Sequence, residues 1–160
     1  KFARTGGEAN AIAGRVARLA SKKRTKILAC GYHGWNDWYL AAKNKEEINI
    51  KKNHLPFYSN KGIPEKLKGT IEFFEYNNIK DFVKKIKNDK SIGIVKMETM
   101  RFAIPKNNFL KKIQKIIKEK NLIFIIDECT TGFRENLSEL YSRYKLKPDL
   151  VIYGKSLGNE

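Results

Sequence analysis

The chain has 160 residues, 41% of them hydrophobic and 11% aromatic, and carries 33 Lys and Arg against 17 Asp and Glu, a formal charge of +16. That balance fits a globular α/β protein and excludes a disordered or fibrous one; no apolar run approaches the roughly 20 residues of a membrane span, so no membrane partner is expected. The excess charge comes from 26 Lys and 7 Arg spread through every predicted helix, beside 14 Asn and 18 Ile, and no helix-turn-helix, finger or RNP-like pattern accompanies it, so nucleic acid is not expected as a partner either.

The opening stretch "KFARTGGEAN" has no Met and reads as a loop, so the chain is taken as a piece of a longer one. From Glu8 to Ala20 the apolar residues Ile12, Ala13, Val16, Ala17, Leu19 and Ala20 recur at helical spacing after a Thr5-Gly6-Gly7 turn. "KILAC" (26–30) is a short strand that ends at "GYHGWNDWYL", where Gly31 and Gly34 break the pattern. Residues 43–68 are polar, contain Pro56 and Pro64, and are predicted as a long loop. A strand at 70–74, an amphipathic helix at 79–88 and a strand at 92–98 follow. Phe109, Leu110, Ile113, Ile116 and Ile117 then line one face of a helix over 108–120. A strand at 122–127, a helix near Leu137 to Tyr144 and a strand at 149–154 complete the series. Strands without alternation, separated by helices, predict an α/β fold with a mostly parallel sheet covered on both faces. Cys30 and Cys129 form neither a metal motif nor a disulfide framework, which points to a reducing, cytoplasmic setting.

Ligands of open α/β sheets bind beyond the carboxyl ends of the strands. That rule selects Tyr32 and His33 after the first strand, Glu98, then Asp127 and Glu128, and finally Gly154 and Lys155. The Thr5-Gly6-Gly7 turn joins them, because a helix N-terminus attracts anions. Singly, each has a plainer reading: Gly6-Gly7 as a turn or N-cap, Asp127 and Glu128 as a solvated strand end or a Mg²⁺ pair, Tyr32 as core, His33 as a hydrogen-bonding residue, Glu98 as a turn cap, Lys155 as a snorkelling side chain. Together, a phosphate-binding helix start, an aromatic plate, a strand-end carboxylate and a strand-end lysine match the needs of pyridoxal 5′-phosphate, which takes an amine, a carboxylate at its ring nitrogen and an anion site.

Four motifs in one order carry a family resemblance: "TGGEAN", "GYHGW", "IIDECTTGFR" and, with Lys155 standing 28 residues after Asp127, "YGKSLG". The chain resembles the class III aminotransferases of fold type I, and within them glutamate-1-semialdehyde aminomutase and its aminotransferase relatives. The resemblance implies that residues 1–160 are part of the large cofactor-binding domain, with an N-terminal segment and a C-terminal small domain outside them. It implies Lys155 as the Schiff-base lysine and proton shuttle, Asp127 at the pyridine nitrogen, Tyr32 on the ring face, and Thr5, Gly6 and Gly7 at the phosphate. Glu98 falls near the active site, with His33 and Glu128 as its neighbours. The implied substrates are a small-molecule amino donor and a carbonyl acceptor, and the implied assembly is a homodimer whose partner adds a phosphate contact, so residues 1–160 alone are expected to bind cofactor poorly.

The chain departs from the family at several points. Thr5-Gly6-Gly7 lacks the hydroxyl usual at the third place of the loop, Thr99 replaces an expected Pro, and Ala103 and Thr130 stand where relatives often offer an amide. These leave transferase and mutase open, and "GYHGWNDWYLA" also suggests sugar or surface-polysaccharide aminotransferases. Lys155 must be neutral to attack a carbonyl, whereas an ordinary lysine titrates near 10.4; burial at the end of an apolar strand is expected to supply the difference.

Overall fold

The computed structural model describes residues 1–42, 61–100, 103–134 and 137–157. Most of the predicted 43–68 loop lies outside them. The elements are α1 (Gly6–Ser21), β1 (Lys26–Cys30), α2 (Asp37–Leu40), β2 (Ile71–Phe73), α3 (Ile79–Asn88), β3 (Ile92–Glu98), α4 (Phe109–Glu119), β4 (Ile123–Glu128), α5 (Leu140–Arg143) and β5 (Leu150–Tyr153). Single 3₁₀ turns occur at Glu65–Leu67 and Lys155–Leu157.

All four strand pairings are parallel, in the order β2-β1-β3-β4-β5. The chain moves outward from β1 to β2, then crosses back to β3 and continues in one direction. The order reverses between β1 and β3, which makes their carboxyl ends the topological switch point of the sheet. β1 and β3 are therefore interior strands, and β5 is an edge strand of the described sheet.

Two cores follow from the sidedness of the strands. On one face Ile27, Ala29, Ile94, Ile125 and Ile152 meet Ala13 and Ala17 of α1 and Tyr39 and Leu40 of α2. On the other, Leu28, Val95, Met97, Phe124 and Ile126 meet Phe82 and Ile86 of α3 and Phe109, Leu110, Ile113 and Ile117 of α4. Each large side chain fully buried here contributes about 1.5–3 kcal/mol of transfer free energy. The stripes of α3 and α4 pack on the sheet as their periodicity predicts, with Ile116 half-buried at the margin. Arg24 ties the amino edge together by donating from Nη1 and Nη2 to the carbonyls of Lys120 and Asn121 beyond α4 (3.1 and 2.6 Å).

α2 is the element the pattern did not predict. Its four residues are too few for a periodic signal, and they are held by Tyr39, which is fully buried, packs its ring on Phe73 at 5.2 Å, and donates its hydroxyl to the Gly31 carbonyl at 2.6 Å.

Candidate functional site

Thr5 is the N-cap of α1. Its backbone is extended, its hydroxyl oxygen accepts from the Glu8 N–H at 3.1 Å, and Glu8 in turn accepts from the Arg4 N–H at 2.8 Å. The capping reading and the anion reading of this turn are compatible, because Gly6 and Gly7 are the first two helical residues and their N–H groups have no acceptor within the helix. A Cβ on Gly34 would stand 3.0 Å from the Gly7 Cα, so the α1 start and the loop after β1 lie backbone against backbone. A Cβ on Gly6 and a Cβ on Gly154 would each stand 3.2 Å from the Cys129 sulfur. Four chain segments distant in sequence thus converge at one end of the sheet.

The chemical centre of this region is Asp127, 3% exposed at the end of β4. Its Oδ1 accepts from the Cys129 N–H at 3.0 Å, and its Oδ2 lies 2.9 Å from Nδ1 of the fully buried His33. The other ring nitrogen of His33 is 3.2 Å from the Cys30 carbonyl. Burial raises the cost of charging Asp127, but His33, Lys96 and the Cys129 N–H more than offset it and hold the carboxyl at about 2, fully ionised at neutral pH. Burial pushes His33 the other way, below its ordinary value, against the pull of Asp127. The neutral ring carries its proton on Nδ1 and donates it to Asp127, while Nε2 faces a second acceptor that it satisfies only when the ring charges.

Glu98 occupies the switch point. It pairs in register with Asp127, and its Oε2 accepts from the Tyr32 N–H at 3.0 Å, linking the ends of β3 and β1. Gly31 makes this possible: its φ is +101°, and a Cβ there would fall 2.5 Å from Glu98 Oε2. Tyr32 is half-buried, its ring edge-on to Tyr39 at 6.3 Å.

Glu128 has a different place from the one expected. Consecutive strand residues face opposite sides, so Glu128 points away from Asp127 and the two form no Mg²⁺ pair. It is fully buried, accepts from the Thr99 hydroxyl at 2.6 Å, and caps α5 by accepting from the Leu140 and Tyr141 N–H groups at 2.9 Å. The Thr at position 99 therefore has a structural partner in this chain.

Lys155 corrects an expectation. It lies at the end of β5 with positive φ (45°), yet it is exposed, and its Nζ is 3.4 Å from the Thr130 hydroxyl. β5 is at the edge of the described sheet, so the apolar run that precedes Lys155 does not carry burial through to it among the described residues. Beside it runs a groove of about 750 Å³ between α1 and β5, with Phe2, Ile12, Val16 and Ile152 in its walls. The groove shares Thr5, Gly6, Gly154 and Lys155 with the convergence of segments, but Tyr32, His33 and Asp127 lie outside it.

One residue escaped the sequence reading. Lys96, in the middle of β3, is fully buried on the same sheet face as Asp127, with its ammonium 5.1 Å over the Trp38 ring. Its signal was a single lysine inside the apolar run "IGIVKME".

The residue types suit pyridoxal phosphate: Asp127 is a buried ionised carboxylate for a ring nitrogen, the start of α1 offers N–H groups for a phosphate, Tyr32 is a half-buried aromatic ring, and Lys155 is an exposed amine. No helix among the described residues is long and apolar enough to cross a membrane.

The aminotransferase class-III family model matches residues 1–159. The chain is 37% identical over 160 residues to the glutamate-1-semialdehyde 2,1-aminomutase of Nitrosopumilus maritimus, covering 97% of this chain and 37% of that one. It is 32% identical to the 3-aminobutyryl-CoA aminotransferase of Cloacimonas acidaminovorans, covering 98% of this chain and 35% of that one. Among solved structures, the Sphingopyxis sp. MTA144 FumI protein in a PLP form superposes with a TM-score of 0.75 at 22% identity, over 96% of this chain and 35% of the other, a likeness of fold. The chain spans a little over a third of the length of the curated relatives it matches.

Proposed function

The chain belongs to the class-III aminotransferase family, with the parallel sheet of the fold type I large domain, and from that premise we propose that the protein moves an amino group with the help of pyridoxal phosphate. The observation that carries the reading is the buried, ionised Asp127, held by His33 and the Cys129 N–H where the starts and ends of four segments meet. Bound pyridoxal phosphate supplies an electron sink for the pair of electrons left when a substrate Cα–H bond breaks.

The residues divide the work. Asp127 retains the proton on the ring nitrogen, and His33 with the Cys129 N–H fixes the plane of its carboxylate. Gly6 and Gly7 would offer their N–H groups to a phosphate, with Thr5 setting the geometry of the turn. Tyr32 covers a ring face. Glu98 holds the Tyr32 backbone in place from the neighbouring strand. Lys155 would hold the cofactor through its amine and would be the group that moves a proton at the substrate Cα.

A small-molecule amino donor and a carbonyl acceptor are the substrates of this reading, and it leaves aminomutase and aminotransferase chemistry side by side, as do the two relatives' names. The assembly we propose is a homodimer, supported by the exposed Phe2 and Leu157 in the walls of the α1–β5 groove. The compartment we propose is the cytoplasm, supported by two free thiols.

The test is direct. The full-length protein incubated with pyridoxal phosphate should absorb in the blue, and borohydride followed by mass spectrometry should place a pyridoxyl group on Lys155. A Lys155→Ala variant that keeps both the colour and the activity would overturn the reading.

A further inference from the structure

Four residues of α1 are buried, Asn10, Ala13, Gly14 and Ala17, at the spacing of a helix stripe, and Asn10 alone among them is polar. It is 2% exposed. Its Nδ2 donates to the Gly6 carbonyl at 2.7 Å, four residues back in the first turn. A carbonyl oxygen only accepts, so the amide must turn its nitrogen, not its oxygen, toward Gly6. Oδ1 is left buried and without a donor among the described residues. An alanine would continue the stripe of small residues without that unsatisfied acceptor. What asparagine adds at this position is the bond to Gly6.

That bond acts on the next residue. The Gly6 carbonyl and the Gly7 N–H belong to one planar peptide unit and point in opposite directions, so a donor fixed on the oxygen fixes the line of the N–H. The constraint matters here because two successive glycines leave the turn more freedom than other residues would. On its other side Gly7 is walled by the loop after β1: a Cβ on Gly7 would stand 3.0 Å from Asn36 Oδ1, and one on Gly34 would stand 3.0 Å from the Gly7 Cα. Asn10 is itself tied to the sheet, since its backbone carbonyl accepts from Lys96 Nζ of β3 at 3.4 Å. A carbonyl that accepts a hydrogen bond also polarises its peptide and makes the N–H on the far side a stronger donor.

We propose that Asn10 is a positioning residue that aims the Gly7 N–H of the Thr5-Gly6-Gly7 turn and so sets the turn's affinity for a phosphate group. The phosphate is that of the cofactor, so the proposal rests on the function proposed above. Asn10 acts through the Gly6–Gly7 peptide and not by touching the phosphate itself.

The experiment compares pyridoxal phosphate with pyridoxal, which lacks the phosphate, as ligands of the full-length protein in wild type, Asn10→Ala and Asn10→Thr. Asn10→Ala should bind pyridoxal phosphate about tenfold more weakly, the worth of one hydrogen bond, and should bind pyridoxal as wild type does. Asn10→Thr should restore pyridoxal phosphate binding to within about threefold, because a helical threonine hydroxyl donates to the carbonyl four residues back. A residue that only supports the fold would weaken both ligands alike. Should Asn10→Ala not fold, Asn10→Leu, which fills the volume without a donor, carries the same comparison. Equal losses for the two ligands, unchanged affinity for pyridoxal phosphate in Asn10→Ala, or an Asn10→Thr variant as weak as Asn10→Ala overturns the proposal. A wild type that takes up no pyridoxal phosphate overturns the proposed function instead, and inorganic phosphate then decides the role of Asn10. The Gly7 amide resonance of glycine-labelled protein should shift on adding phosphate in wild type and not in Asn10→Ala; an equal response in both, or none in wild type, overturns the positioning role.

Discussion

Replacing Lys96 by Met should stabilise the protein at neutral pH. Met keeps the length and apolar stem of the side chain and removes the ammonium. Lys96 is 0% exposed, and burial brings its titration from 10.5 down to about 8, the attraction of Asp127 and Cys129 offsetting only part of the cost. The unfolded chain holds this proton up to about 10.5 and the folded chain releases it near 8, so the cost is fully present below about 8, shrinks as the pH rises between the two values, and is gone above 10.5. The fall from 10.5 to about 8, at about 1.4 kcal/mol per pH unit, amounts to about 3–4 kcal/mol. Urea unfolding of the cofactor-free full-length protein, wild type against Lys96→Met at one protein concentration, measures it at pH 7, 9 and 10.5. The other lysines titrate in both proteins and cancel in the difference. A variant less stable than wild type at pH 7, or a gain that stays constant to pH 10.5, would refute the reasoning. If the gain is found, it measures the stability this chain forgoes to keep a charge beneath its site.

Removing the Glu128 carboxylate by Glu128→Ala strands the Thr99 hydroxyl and two α5 N–H groups, a loss of about 2–4 kcal/mol; Thr99→Val, which leaves the α5 cap in place, should cost about 1–2 kcal/mol. Thermal unfolding gives the sizes, and unaltered hydrogen exchange at the Leu140 and Tyr141 amides in Glu128→Ala would count against the cap. Gly31→Ala should push Glu98 off the Tyr32 N–H and weaken cofactor binding several-fold in the full-length protein, since the added Cβ falls 2.5 Å from Glu98 Oε2 at a φ of +101°. Unchanged affinity and melting temperature in that variant would contradict the role given to Glu98.

Much of this molecule was legible in its residue order, because much of it is decided locally. β1, α3 and β3 have the bounds their apolar patterns predict, and the stripe of α4 packs as read. Strand-end placement selected Tyr32, His33, Glu98 and Asp127, and the structure brings His33 to Asp127 and Glu98 to Tyr32. Glu128 was misjudged because its partner, Thr99, is 29 positions away, just past the end of the neighbouring strand β3. The two strand lysines mark the boundary most sharply. Each follows an apolar run, and residue order alone makes Lys155 the buried one and passes over Lys96. Strand order reverses this: β3 is flanked by β1 and β4 and covered by α1, so Lys96 is sealed, whereas β5 is at the edge of the described sheet and Lys155 is exposed among the described residues. A pattern of apolar residues determines that a segment is a strand; how deep any one side chain lies depends on which other strands come to rest beside it.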